Sequence, residues 1–409
     1  MKTASRVGVF GLLGSGNLGN DGSLEAVLGY LRAEHPDAAV DALCGGPEVV
    51  TARYGIPATR LHWNRGEYRT ASRVGAIATK GVGKLVDVAR TAAWVRRHDV
   101  VIVPGMGVLE ATLPLRPWGF PYSLFLLCAS GRIFRTRIAL VGVGAAPIRD
   151  RATRALVRRS ARLAAYRSYR DDLSRDAMRA MGVDTAPDEV YPDLAFALPT
   201  PPPGTTNGTV CVGVMDFHGG NDDRARAEEI HRRYLEGTTR FVRALVDEGR
   251  PVRLLTGDAC DASVVEAIID AVDSPLVTAA ETASLADLME EMAAADSVVA
   301  TRYHNLVCAL KAGTPTLALS YAAKSDALME RMGLAAHCHP AREVDTDRLL
   351  EQFRALEKQS VELRRTLADR NRTAARQLRD QFDALTAALF PGARTSSTHT
   401  DAHALRETP

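Results

Sequence analysis

At 409 residues with a formal net charge of +2, the chain is too long for one ordinary core and suits two domains. Its hydrophobic fraction of 46% and charged fraction of 24% are those of a soluble globular protein, and a balance so near neutrality argues against a nucleic-acid surface. The longest apolar run, around Tyr122 to Ala129, falls far short of the roughly 18 to 20 residues a spanning helix needs. With no signal-peptide pattern at the start, the expected location is cytoplasmic. Six cysteines are scattered without a Cys-x-x-Cys pair, and no metal motif is visible.

Arg6 to Phe10 reads as a strand and Ser23 to Leu31 as the helix after it. Between them, Gly11 to Gly22 is a glycine-rich loop able to turn tightly and approach a phosphate or a sugar. It holds a G-x-G-x-x-G at Gly14, Gly16 and Gly19, and Asp41 follows a second strand near the place of a ribose-binding acid. A dinucleotide-binding regulatory protein is therefore the non-enzyme alternative. The spacing opposes it: three residues too many separate the strand from Gly14, and Gly19-Asn-Asp-Gly22 delays the helix.

From His62 to His98 there are eight Lys or Arg against two acids, interleaved with Trp63, Tyr68 and Trp94. Such a run either holds an anionic, lipid-linked acceptor at the inner face of a membrane or is an ordinary solvated helical face, the commoner case. Asp99 to Val103 and Ile138 to Gly144 are further strands, and Arg151 to Leu163 is a helix with one basic face. Pro199 to Gly208 is the clearest linker and splits the chain nearly in half.

Thr209 to Met215 opens a second α/β unit, and the glycine pair beside His218 at its strand end suggests an acceptor contact. A helix (Ala225 to Glu248), a strand (Val252 to Leu255), a helix (Ala262 to Ala271), a short strand (Leu276-Val277) and a helix (Ser284 to Ala294) follow. Val298 to Ala300 is then a strand, and the helical spacing through Leu306 and Leu310 stops at Gly313 and Pro315. Thr301-Arg302-Tyr303-His304 falls at the handover, where open α/β sheets bind ligands. The first helical turn attracts anions, Arg302 adds a two-pronged donor for carboxylate or phosphate, and His304 exchanges a proton near neutral pH. The neighbouring strand, Thr316 to Ser320, ends close to another cation, Lys324.

Strand and helix in regular order predict α/β architecture: two Rossmann-like domains facing a cleft. The expected divisions are 1–198, a linker at 199–208, 209–344, closing helices at 345–390 and a disordered tail at 391–409.

The segment Thr301 to Lys324 (TRYHNLVCALKAGTPTLALSYAAK) resembles the C-terminal signature of the polysaccharide pyruvyl transferase family, whose members move pyruvate from phosphoenolpyruvate onto sugar hydroxyls. The resemblance implies a GT-B type arrangement, with Asn17, Asp21 and the helix start after the glycine loop facing the cleft. It also implies that Arg170, in the Arg170-Asp171-x-x-Ser174 pattern, reaches the donor's phosphate or carboxylate. The plainer reading of Arg170 is a surface ion pair, contributing at most about 1 kcal/mol. Asp193, in Tyr191-Pro-Asp193, orders the cleft or acts on a sugar hydroxyl, or marks an ordinary turn. Pro104-Gly-Met-Gly107 departs from the run of glycines usual there.

By this reading Arg302, Tyr303, Arg170 and Lys324 hold the donor and His304 protonates its methylene carbon. Phosphoenolpyruvate is then the donor substrate, no cofactor is called for, and the partner is a sugar, glycan or lipid-linked saccharide. The same cations suit a nucleotide sugar's diphosphate, so a GT-B glycosyltransferase is the enzymatic alternative. Enzymes of that kind commonly carry a Glu near the last strand ends to grip the ribose, whereas Asp326 is the acid that follows Ser320 here.

Overall fold

The computed structural model describes residues 5–63, 73–110, 118–202, 206 and 208–390, with backbone only for 73–81 and 221. The first unit carries β1 (Arg6–Gly11), β2 (Ala39–Cys44), β3 (Ala58–Arg60), β4 (Val100–Pro104), β5 (Arg137–Val143), β6 (Tyr166–Tyr169) and β7 (Glu189–Val190). Its helices are α1 (Leu18–Glu34), α2 (Pro47–Tyr54), α3 (Arg73–Val95), α4 (Phe120–Phe134), α5 (Arg151–Leu163) and α6 (Asp172–Ala180). The second unit carries β8 (Val210–Gly213), β9 (Val252–Leu255), β10 (Val277–Ala279), β11 (Ser297–Ala300), β12 (Thr316–Ser320) and β13 (Cys338–Pro340). Its helices are α7 (Ala227–Asp247), α8 (Ala262–Val272), α9 (Leu285–Ala293), α10 (Tyr303–Ala312), α11 (Ala323–Arg331), α12 (Thr346–Lys358) and α13 (Ser360–Leu389).

Both sheets are parallel, in the orders β3-β2-β1-β4-β5-β6-β7 and β10-β9-β8-β11-β12-β13. Helices cover both faces, so central strands such as β4, Val-Val-Ile-Val-Pro, are buried at every residue and rich in β-branched side chains. In each sheet the chain works outward from the first strand and then crosses to the other side of it, which opens a crevice between β1 and β4 and another between β8 and β11. The loops after β1, β4 and β11 supply part of the site, and those after β6, β7, β9 and β12 the rest.

The two units share one apolar core, which runs from Val7, Val27 and Tyr30 through Leu194 and Phe196 to the second sheet. Lys311 on α10 reaches across to the carbonyl of Phe196 at 2.8 Å, and burial lowers its pKa to about 8. The last helix, α13, returns over the first unit: Thr386 bonds Tyr30 at 2.7 Å, Gln381 bonds Ser168 at 2.9 Å, and Arg137 bonds the Leu389 carbonyl at 3.0 Å. Among the described residues, no helix is long and apolar enough to cross a membrane.

One expectation fails at the start of α1. The Gly19 to Gly22 stretch does not delay the helix, because α1 begins at Leu18 with Asn17 as its cap, accepting the Asn20 N–H. An Asn cap offsets the poor helix propensity of the two glycines that follow. The expected tail at 391–409 and the basic residues 64–72 lie outside the described residues.

Candidate active site

The N-termini of α1 and α10 face each other across the cleft. Beside this contact Asn17 Nδ2 bonds Asp258 at 3.0 Å and the Leu18 N–H reaches the Gly257 carbonyl at 3.4 Å, both in the loop after β9. Gly19 lies against the His304 ring, and a Cβ there would come within 2.0 Å of Nδ1. The close approach of α1 to α10 therefore requires glycine at this position.

Arg302 caps α10, and no side chain closes that helix end; the same holds for α11, whose first turn carries Lys324. Tyr303 packs its ring against both Arg170, 4.7 Å from the ring centroid, and Lys324, at 5.8 Å. Lys324 Nζ pairs with Glu110 Oε2 at 3.2 Å, and Arg170 bonds Glu110 Oε1 at 2.5 Å. Burial opposes ionisation of Glu110, but Arg170 and Lys324 outweigh it and hold its carboxyl below the usual range. Asp171 and Asp193 also lie near Arg170, at 3.5 and 3.8 Å.

His304 sits between these groups with its Nε2 buried and without a hydrogen-bond partner; the nearest carboxylate oxygen, of Asp193, is 3.9 Å away. Burial lowers its pKa to about 4, and the nearby Asp193 charge opposes that shift. The imidazole is consequently neutral at pH 7.

Arg302 lies on the other flank of the α10 N-terminus. Its Nε and Nη2 grip Asp261, at 2.9 and 2.5 Å, and Nη2 also approaches Cys260 Sγ at 3.1 Å. Asp261 is fully buried and accepts the N–H groups of Gly257, Asp258 and Asp216 as well. Burial disfavours the Arg302 charge, yet the bonds to Asp261 raise its pKa. Sequence reasoning missed both Glu110 and Asp261. Each lies in a loop after a strand, which was the available signal.

Exposure separates the expected donor residues into two groups. The side chains of His304 (16%), Arg302 (19%) and Lys324 (22%) are partly exposed, although the His304 Nε2 itself is buried. Arg170 is 3% exposed and Tyr303 is buried, so these two lie beneath the site and hold the groups that open on it. Arg170 is thus neither a surface ion pair nor an open donor clamp, because Glu110, Tyr303 and the neighbouring acids enclose it.

Three further expectations are corrected by the packing. Asp21 turns inward and accepts the Gly14 N–H at 2.7 Å, and burial raises its pKa, so it braces the loop and does not face the cleft. Asp41 lies inside β2, bonded to Trp94 at 2.6 Å and His98 at 3.1 Å, so it is not free to bind a ribose. Trp94 is accordingly a core residue, not part of a basic surface. Asp193 caps a short 3-10 turn through the Ala195 N–H at 3.0 Å, as the turn reading has it, and yet stands beside His304. His218 bonds Asp216 at 2.8 Å in the loop after β8.

Solved structures with this architecture include two UDP-GlcNAc 2-epimerases and MurG. UDP-GlcNAc 2-epimerase from Methanocaldococcus jannaschii aligns over 85% of this chain and 92% of its own, with a TM-score of 0.57 and 9% identity. UDP-GlcNAc 2-epimerase from Neisseria meningitidis, bound to UDP-GlcNAc, aligns over 94% and 99%, with a TM-score of 0.57 and 12% identity. MurG from Acinetobacter baumannii aligns over 94% and 99%, with a TM-score of 0.53 and 12% identity. At such identities the likeness establishes the GT-B fold and nothing finer. No curated protein sequence matches the chain. The family model for polysaccharide pyruvyl transferase matches residues 17–322, a span that runs from the α1 cap to two residues short of Lys324. By that match over most of its length, the chain belongs to the polysaccharide pyruvyl transferase family.

Proposed function

We propose that this protein transfers pyruvate from phosphoenolpyruvate to hydroxyls of a sugar, glycan or lipid-linked saccharide, forming a ketal and releasing phosphate without a further cofactor. The observation that carries this reading is the placement of His304. Its unpartnered Nε2 lies where the N-termini of α1 and α10 meet, flanked by the two partly open cations Arg302 and Lys324. Phosphoenolpyruvate presents two anionic groups on adjacent carbons, which suits two cations and open helix N-termini.

In this reading Arg302 and Lys324 bind the donor; Asp261 positions Arg302, and Glu110, held by Arg170, positions Lys324. The neutral imidazole takes up a proton as the donor's negative charge arrives, then delivers it to the methylene carbon. The adjacent carbon becomes electron-poor, and a sugar hydroxyl adds to it while its proton restores the imidazolium. Phosphate leaves with the imidazolium's proton, and a second hydroxyl closes the ketal as its own proton passes to the imidazole. Asp193 stabilises the imidazolium across 3.9 Å.

The donor is tested by the melting temperature of the purified protein with phosphoenolpyruvate, UDP-sugars and NAD, each in saturating excess. A ligand at a hundred times its dissociation constant adds about 2.7 kcal/mol, or roughly 2 to 4 °C for domains of this size. A rise with phosphoenolpyruvate, lost in Arg302→Ala and Lys324→Ala, is expected. A rise with a UDP-sugar alone would transfer the protein to the glycosyltransferase reading.

Gly19→Ala supplies a second test of geometry. The new Cβ would displace the His304 ring or α1, and a misplacement of about 1 Å costs on the order of 10² in rate. Pyruvyl transfer at wild-type rate in this variant would remove His304 from the chemistry.

A further inference from the structure

A second cluster of chemistry-bearing side chains lies in the loop after β8. Asp216 follows the strand, His218 folds back beside it with the aid of Gly219 at φ +82°, and His231 projects from the first turns of α7. The two imidazoles stack in parallel, 4.4 Å apart and 7° from coplanar, and compete for one oxygen. His218 Nε2 takes Asp216 Oδ1 in a hydrogen bond of 2.8 Å. His231 Nδ1 lies 3.3 Å from the same oxygen but outside hydrogen-bonding angles, so it is buried without a hydrogen-bond partner. Such an orphaned nitrogen costs about 1 to 3 kcal/mol unless something else satisfies it.

From this geometry we infer that Asp216, His218 and His231 bind one divalent first-row transition ion of the zinc type. The three ligand atoms lie within 4.8 Å of one another. Bonds of about 2.0 Å in a tetrahedron set ligand atoms roughly 3.3 Å apart, so the stacked imidazoles must turn out of parallel to point both nitrogens at one ion. Two imidazoles and a carboxylate suit zinc, cobalt or nickel and disfavour magnesium, which takes oxygen ligands. Three protein ligands leave a fourth position for water or a substrate oxygen.

The position makes the ion more than a surface ornament. The Asp216 N–H bonds Asp261, the same carboxylate that grips Arg302, and Arg149 of the first unit reaches Asp222 in this loop at 3.0 Å. A bound ion would therefore fix the loop at the mouth of the cleft. The sequence carries the ligands as Asp-x-His with a histidine 13 residues further on, a spacing that matches no common metal motif.

The test titrates tag-free, metal-stripped protein with Co²⁺, read by its visible ligand-field absorption, and then displaces it with Zn²⁺. One equivalent is expected, with a rise in melting temperature for Zn²⁺ and none for Mg²⁺. His218→Ala, His231→Ala and Asp216→Asn should each weaken binding by at least about 10- to 100-fold, the loss that even an outer hydrogen-bond partner causes. All three residues are partly or fully exposed, so folding of the variants is checked simply by their metal-free melting temperature. Absence of the cobalt spectrum, or binding unchanged in all three variants, would overturn the inference and leave a hydrogen-bonded Asp-His-His cluster.

Discussion

His304→Asn is expected to lower turnover by about 10² to 10⁴, the usual worth of a placed proton donor, while donor affinity stays within a few-fold of wild type. The affinity is retained because the cations and helix ends that meet the donor are untouched. Steady-state and single-turnover rates with phosphoenolpyruvate measure the first quantity, and the donor-induced melting shift measures the second. Turnover within a few-fold of wild type would end the general-acid assignment.

The same substitution has a stability signature of known sign. Burial depresses the folded-state pKa of His304 from 6.5 to about 4, so between these values the unfolded chain binds the proton that the folded chain refuses. The folded state is therefore fully favoured above pH 6.5 and loses stability as pH falls toward 4. His304→Asn lacks that proton, so its stability relative to wild type should rise over this window by up to about 3 kcal/mol. Denaturant unfolding at pH 7 and at pH 4.5 gives the comparison. Parallel pH profiles would mean that the imidazole is solvated in the native cleft.

Glu110→Ala is expected to destabilise the protein by about 3 to 5 kcal/mol, because it leaves Arg170 buried beside an empty place. A guanidinium cannot escape by losing its proton, and Arg170 has 3% exposure with which to reach water. Asp193 and Asp171 lie at 3.8 and 3.5 Å and supply only partial compensation. Replacing the pair together, as Glu110→Leu with Arg170→Met, should recover part of the loss, since an apolar pair carries no desolvation cost while Asp193 and Lys324 lose a partner. Urea unfolding of the three proteins decides the matter. A loss below about 1 kcal/mol in Glu110→Ala would return the pair to the class of surface ion pairs.

These two predictions come from opposite sides of what could be read in advance. The strand-end position of Arg302 and His304 was legible because a run of apolar residues precedes them and the helix after them stops at Gly313, and Lys324 was legible as a cation close after the next strand. Arg170 was legible as a donor contact, through the family resemblance, or as a surface ion pair, but not as an enclosed cation. Nothing local distinguishes an exposed Arg-Asp pair from an enclosed one; the enclosure comes from Glu110, 60 residues earlier, and Tyr303, much later in the chain. Asp41 failed in the same way, since its partners are Trp94 at the far end of α3 and His98 in the turn just after it. The start of α1 was misplaced for a different reason: glycines lower helix propensity, but the Asn17 cap and the contact with His304 outweigh it.

By itself, then, the sequence determined that the chain alternates strand and helix in two parallel α/β units and that an Arg-Tyr-His step stands at a strand end, because hydrophobic periodicity and turn residues act over a few neighbours. Only the tertiary structure decided which charges are open and which are enclosed, that His304 rests uncharged against Gly19, and that two histidines converge on Asp216. Those properties depend on burial and on partners tens to hundreds of residues away, and desolvation, unlike periodicity, exists only once the chain has closed around the group.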